Sequence, residues 1–197
     1  MQNELYHHGI LGMKWGVRRY QNPDGSYTEA GKRRRSNYSS SDTVFISGSS
    51  KTQSKDSPYY RKKLPREIRG EVKGMMRAGS RIVVGDAPGI DRQVQDYLKR
   101  KHYDKVEVYG PGKQVRYSAN KKWKTNPIDA PGYEPMSKEW LAAKDIAMER
   151  ASTRGLAVVL DEGAKATRKN VERLIANNKS VLVYELSQYG RRKDRWS

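Results

Sequence analysis

Three glycine-bearing loops hold most of the residues whose types could do chemistry. They read SGSS (47–50), GDAPGID (85–91) and DEGAKATRKN (161–170), and each follows a short apolar run that predicts a buried strand. Beyond the carboxyl ends of parallel strands, glycines let the backbone approach phosphate, and helix N-termini offer free N–H groups. The loops therefore predict a nucleotide site, although strand-to-helix turns also need glycine for structural reasons alone.

Carboxylates beside these glycines extend the hypothesis to catalysis. At a strand end, a carboxylate can accept ribose hydroxyls or, if desolvated, act as nucleophile or base on a glycosidic carbon. Asp91 and Asp145 are the candidate catalytic residues; the structural alternatives are a helix N-cap for Asp91 and a core-facing helix for Asp145. The candidate ligand-binding residues are Gly48, Ser49, Gly85, Asp86, Gly89, Asp91, Asp161, Gly163, Thr167 and Asn170.

The segment 110–135 combines proline, glycine and aromatic residues with lysine and arginine. Loops longer than ~12 residues are often functional, so we predict a lid in which Arg116 holds phosphate and Trp123 stacks on a base. Basic residues interleaved with aromatics also suit single-stranded nucleic acid. In the structural alternative, Trp123 plugs the edge of the core.

The elements that must position these residues alternate between strand and helix. We predict strands at 43–47, 81–84, 106–109, 156–160 and 181–184, and helices at 65–78, 90–101, 137–153 and 167–177. Ser137 is the predicted N-cap of the third helix. The strands are apolar without strict alternation, as expected when both faces of a sheet are covered. This predicts an α/β Rossmann-like three-layer sandwich with a mainly parallel sheet of about five strands, spanning residues 43–187. Residues 1–42 and 188–197 are predicted to be an irregular basic front segment and a basic tail.

Composition restricts the classes of function. Lysine and arginine number 40 against 22 acidic residues, which gives a formal net charge of +18 and favours partners such as nucleic acid or other polyanions. The absence of cysteine excludes disulfides and thiolate metal sites, and with three histidines we expect neither a metal nor another resident cofactor. No apolar run approaches the ~20 residues that span a bilayer, so we expect no membrane partner.

The order strand-GS, strand-GDxPGID-helix and D-x-G-x-x-x-T-x-x-N before a helix resembles the SLOG group of Rossmann-like proteins. The group includes phosphoribohydrolases, DprA-like proteins and sensors of NAD-derived nucleotides, and the resemblance implies a nucleotide pocket at the strand ends. Phosphoribohydrolases carry glutamate where this chain has Asn170. An amide cannot act as a general base, so we expect weak or absent phosphoribohydrolase activity. Whether the protein is an enzyme stays open; if it is, the chemistry would be N-glycosidic hydrolysis or transfer.

Residues 6–31 read YHHGILGMKWGVRRYQNPDGSYTEAG. This run resembles a module found at the start of varied phage and prophage proteins of Gram-positive bacteria. The resemblance implies an adaptor that docks on a phage structural protein, with the protein in the bacterial cytoplasm or associated with the virion. The preferred function is therefore a phage-type protein that binds, sequesters or processes a ribose-containing nucleotide. The alternative is a virion-associated or DNA-binding interaction protein that uses the α/β domain as a scaffold. For either function, assembly into an oligomer stays open.

Overall fold

The computed structural model describes residues 38–53, 55, 57, 60, 62–160, 164–186 and 192–196. The chain divides into two compact units, Met1–Tyr38 and Ser39–Ser197. Most of the predicted adaptor segment, residues 1–37, lies outside the described residues, so its proposed role stays a prediction. Among the described residues, no helix has the length and apolar character needed to cross a membrane.

The second unit is built on one seven-stranded sheet. Its strands are β1 Thr43–Gly48, β2 Arg81–Gly85, β3 Val106–Pro111, β4 Lys124–Ile128, β5 Arg154–Leu160, β6 Val181–Leu186 and β7 Arg192–Trp196. The order across the sheet is β4-β3-β2-β1-β5-β6-β7, and the strands are parallel except for β7, which pairs antiparallel with β6. The predicted α/β Rossmann-like class with a mainly parallel sheet is confirmed.

Four helices cover this sheet, within a few residues of their predicted bounds. They are α1 Arg66–Ala78, α2 Ile90–Arg100, α3 Lys138–Ala151 and α4 Lys165–Ala176. Crossovers between parallel strands are right-handed, which places α1 and α2 on one face of the sheet and α3 and α4 on the other. The predicted start signal of α3 is correct, because the Ser137 side chain accepts a hydrogen bond from Trp140 N at 3.1 Å.

The core is packed on both faces of the central strands. On one face, Phe45 and Val83 share a buried cluster with Met148 of α3 and Leu174 of α4. On the other face, α1 buries Ile68, Val72 and Met75 along one side of the helix, and α2 buries Ile90, Val94 and Leu98. These apolar stripes recur every three or four residues, the helical period that the sequence shows.

Two strands lie in segments that we predicted to be irregular. β4 falls inside the predicted lid, and β7 lies in the predicted basic tail. Both are edge strands, and edge strands tolerate Pro127 and a run of charged residues because only one side of the backbone is paired. Neither sequence shows the apolar pattern of a buried strand, so local periodicity could not identify them.

The packed unit includes residues that precede the first predicted strand. The carbonyl of Ser39 accepts a hydrogen bond from Ser80 Oγ at 2.7 Å, and the carbonyl of Asp42 accepts one from Arg81 N at 2.9 Å. The Asp42 carboxylate also accepts from Ser39 N at 2.8 Å. Residues 39–42 therefore close the amino end of β1 and belong with the sheet.

Candidate functional site

A reversal of strand order marks where this sheet can hold a ligand. From β1 the chain adds β2, β3 and β4 on one side, and then crosses to add β5, β6 and β7 on the other. In such sheets the crevice lies beyond the carboxyl ends of the two strands at the switch point, here β1 and β5. We use the name switch-point cluster for the polar residues gathered there: Ser47, Asp91, Lys144, Asp145 and Asn170.

Asp91 lies in the first turn of α2 and is 4% exposed. The N-cap position is Gly89, so the N-cap alternative for Asp91 is wrong. Instead the carboxylate accepts a hydrogen bond from the backbone N–H of Ala87 and lies directly over Gly85. A methyl group on Gly85 would overlap Asp91 Oδ2 and lie 3.0 Å from Lys144 Nζ, so glycine is needed here to make room for this pair.

Burial sets the protonation of Asp91. It raises the pKa of the carboxyl group to about 7; Lys144 opposes the rise, whereas Asp145 and Asp86 add to it. Burial of Lys144 disfavours its charge, but Asp145 and Asp91 together outweigh burial and hold the pKa of the ammonium above its ordinary value. The site therefore holds a lysine cation beside a carboxyl group that exchanges its proton near neutral pH.

Asp145 and Asn170 join three elements around that pair. Asp145 accepts from Lys144 Nζ at 2.5 Å and from Asn170 Nδ2 at 3.1 Å. Asn170 Nδ2 also donates to Ser47 Oγ at 2.9 Å, and its Oδ1 accepts from Arg173 Nη1 at 2.7 Å. Both amide hydrogens of Asn170 are thus engaged, and this residue, predicted to bind ligand, links α4 to β1 and α3.

This arrangement suits proton exchange and the binding of hydroxyl groups. An acid is most effective when its pKa lies near the working pH, as that of Asp91 does. Asp145 is 14% exposed at its side chain and is the more accessible of the two carboxylates, with oxygens able to accept further hydrogen bonds. No group of three metal-ligating side chains occurs among the described residues.

Asp86, predicted to bind ligand, is instead buried and paired with Arg116. Its Oδ2 accepts from Arg116 N at 2.8 Å and from Nε at 3.0 Å, and its Oδ1 accepts from Nη2 at 2.5 Å. Side-chain exposure is 0% for Asp86 and 32% for Arg116. The pair fastens the segment between β3 and β4 over the end of β2, so the predicted direct role of Asp86 in ligand binding is not supported.

We expect Arg116→Ala to lower the free energy of unfolding by about 3 kcal/mol, because it leaves the buried Asp86 carboxylate without its cation. Urea unfolding at neutral pH measures this. Arg150→Ala, an exposed arginine on α3, is the matched control and should change stability by no more than about 0.5 kcal/mol. Equally small losses of unfolding free energy for both variants would contradict the role of Arg116 in fastening the segment between β3 and β4.

The predicted lid is held down at several points, and its tryptophan does not face a pocket. Trp123 is 4% exposed and donates from Nε1 to the carbonyl of Tyr103 at 3.0 Å. Gln95, fully buried on α2, donates to the carbonyl of Gly85 at 2.8 Å and accepts from Ala119 N at 2.9 Å. The stacking role predicted for Trp123 is wrong, and the alternative of a plug at the edge of the core describes it correctly.

Glycines of the first two loops serve close packing. A methyl group on Gly48 would lie 2.5 Å from Cβ of Ile90, and one on Gly89 would overlap the Ser49 carbonyl. That carbonyl accepts a hydrogen bond from Ile90 N at 3.2 Å, while Ser49 Oγ accepts from Lys51 N at 3.2 Å. These contacts support the interpretation that the glycines are needed for structural reasons, and they bring both loops to the same end of the sheet.

Besides Asn170, three predicted residues come from the last loop. Thr167 is buried within α4. Asp161 and Gly163 lie outside the described residues, so their predicted contacts with ligand stay predictions. The structure brings Asp91, Asp145 and Asn170 together and places Gly85 against Asp91. Gly48 packs against Ile90, and Gly89 packs against the backbone of Ser49.

Lys144 is the main site residue that sequence reasoning missed. One signal could have found it, because Lys144 and Met148 are four residues apart and share a helix face, and Met148 lies in the core. A lysine on a buried face requires a carboxylate partner. Ser47 opens the SGSS loop but was not among the predicted ligand-binding residues, and Arg173 gave no comparable signal.

Comparison with known proteins adds little to this geometry. A model of a family of unknown function (DUF7211) matches residues 1–22. No curated protein and no solved structure matches the chain. The matched residues precede the sheet, so any function of the α/β unit must be argued from its own site.

Proposed function

We propose that the switch-point cluster binds a ribose-containing nucleotide. The observation that carries the proposal is the convergence of Asp91 and Asp145 on Lys144 at the carboxyl ends of the strands where the sheet order reverses. This is the place where doubly wound sheets hold nucleotides. The Asp145 carboxylate would accept ribose hydroxyls, and the first turn of α2 would face phosphate.

Proton exchange is the second part of the proposal. Asp91 holds a proton at mildly acidic pH and can release it near pH 7, with Lys144 stabilising the ionised form. Such a group could donate a proton to the base of a bound nucleoside when a glycosidic bond breaks, or simply donate a hydrogen bond to it. The first case would make the protein an N-glycosidic hydrolase or transferase, and the second a binding protein.

The test is to place a negative charge where the phosphate should lie. Pro88 is exposed and directly precedes the N-cap of α2. We expect Pro88→Glu to weaken binding of adenosine monophosphate about tenfold by charge repulsion. Pro88→Gln, of the same size but neutral, is the matched control and should bind like the unaltered protein.

Isothermal titration calorimetry measures both variants, and adenosine, which lacks phosphate, shows whether charge is the cause. Adenosine should bind the Glu and Gln variants equally. The proposal fails if the folded protein binds none of adenosine monophosphate, ADP-ribose and NAD. Equal affinity of the two variants for adenosine monophosphate would also contradict it.

A further inference from the structure

A basic groove lies between α1 and α2, on the face of the sheet away from α3 and α4. Its volume is about 620 Å³. We define it by its six basic side chains, Lys62, Lys63, Arg69, Lys73, Arg100 and Lys101. None of the residues of the switch-point cluster lines it.

The groove follows from the spacing of charges on two helices. Arg69 and Lys73 are one turn apart on α1, and Tyr97 and Arg100 are about one turn apart on α2, so each pair shares a face. Asp96 is the acidic residue in the lining, and its Oδ1 accepts a hydrogen bond from Tyr117 Oη at 2.5 Å. The groove therefore carries a strong excess of positive charge.

Two buried polar atoms in the lining have no hydrogen-bond partner within the part of the chain that the structure describes. Tyr97 is 5% exposed, and its buried Oη has no hydrogen-bond partner among the described residues. The buried Nε of Arg69 is likewise without a partner in that part of the chain. Buried polar groups are nearly always hydrogen-bonded, so a hydroxyl and a guanidinium N–H in this state call for an acceptor from beyond the described residues.

We infer that the basic groove binds a linear chain of phosphates. Phosphate oxygens supply both the negative charge that six cations attract and the acceptors that Tyr97 Oη and Arg69 Nε lack. Among the described residues, the lining offers no exposed aromatic ring on which bases could stack. The ligand is recognised through its phosphates, whether they belong to a free oligophosphate or to the backbone of a nucleic-acid single strand.

The experiment uses inorganic tripolyphosphate as the probe, titrated at low salt into the full chain. We expect Lys73→Gln/Arg100→Gln to weaken its binding about tenfold, because two exposed cations of the groove are lost. Arg77→Gln/Lys99→Gln is the matched control, with the same charge change on exposed residues of the same helices outside the groove. Tyr97→Phe, which removes only the unpartnered oxygen, should weaken binding about fivefold.

Competition identifies the source of the phosphates. Displacement of tripolyphosphate by a short oligothymidylate would support the proposal with a single strand as ligand, and failure to displace it would support a free oligophosphate. The proposal is overturned if the folded protein does not bind tripolyphosphate, or if the test and control pairs lose affinity equally. Stoichiometric displacement by adenosine monophosphate would also overturn it, since the two sites would then be one.

Discussion

Gly89→Val should prevent stable folding of the α/β unit, with a loss of about 4 kcal/mol or more in the free energy of unfolding. Gly89 has φ of +90°, a conformation that a β-branched residue strongly disfavours. A Cβ at this position would also overlap the backbone carbonyl of Ser49. The packing of the two loops therefore requires glycine at this position.

Thermal and urea unfolding of the purified variant measure the effect. Gly132→Val is the matched control, because Gly132 is exposed and a Cβ there would meet nothing within 4 Å. We expect that control to change stability by about 0.5 kcal/mol or less. A Gly89→Val protein with an unchanged unfolding midpoint would show that the two loops do not pack as described.

In the unaltered protein, ionisation of Asp91 should lower the free energy of unfolding by about 4 kcal/mol as pH rises to about 7, and Asp91→Asn should remove this decline. The pKa of Asp91 is about 7 in the folded protein and 3.8 for an unburied group. Between these values the folded state keeps a proton that the unfolded chain has released, so this carboxyl group stabilises the fold at low pH. The contribution falls as pH rises through about 7, and each pKa unit corresponds to 1.36 kcal/mol. The asparagine amide does not titrate, so the variant lacks this decline.

Urea unfolding from about pH 4 to pH 8 measures the difference in stability between the variant and the unaltered protein. As pH rises, the variant should become more stable relative to the unaltered protein, and this difference should level off above about pH 7. Asp129→Asn is the control, because it makes the same chemical change at an exposed carboxylate. Parallel profiles for Asp91→Asn and the unaltered protein would contradict a raised pKa at this carboxyl group.

The amino-acid sequence by itself determined the fold class, the five central strands, the four helices and the place of the three loops. These features follow from local patterns: apolar runs for buried strands, a helical period for the helices, and signals such as Ser137 at a helix start. Such patterns depend on residues close together in the chain. They also placed Asp91 and Asn170 near one end of the sheet, because loops after parallel strands share an edge.

Only the tertiary structure decided which polar groups meet and what they do. The packing of α3 against the sheet brings Lys144 to Asp91. The buried carboxylate of Asp86 is paired with Arg116 and is therefore not free to bind a ligand. The edge strands β4 and β7 are polar in sequence and are defined by backbone pairing with their neighbours. The physical reason is the same in each case: the partners are distant in the chain, and a charge or a backbone group acquires its role from what packs against it.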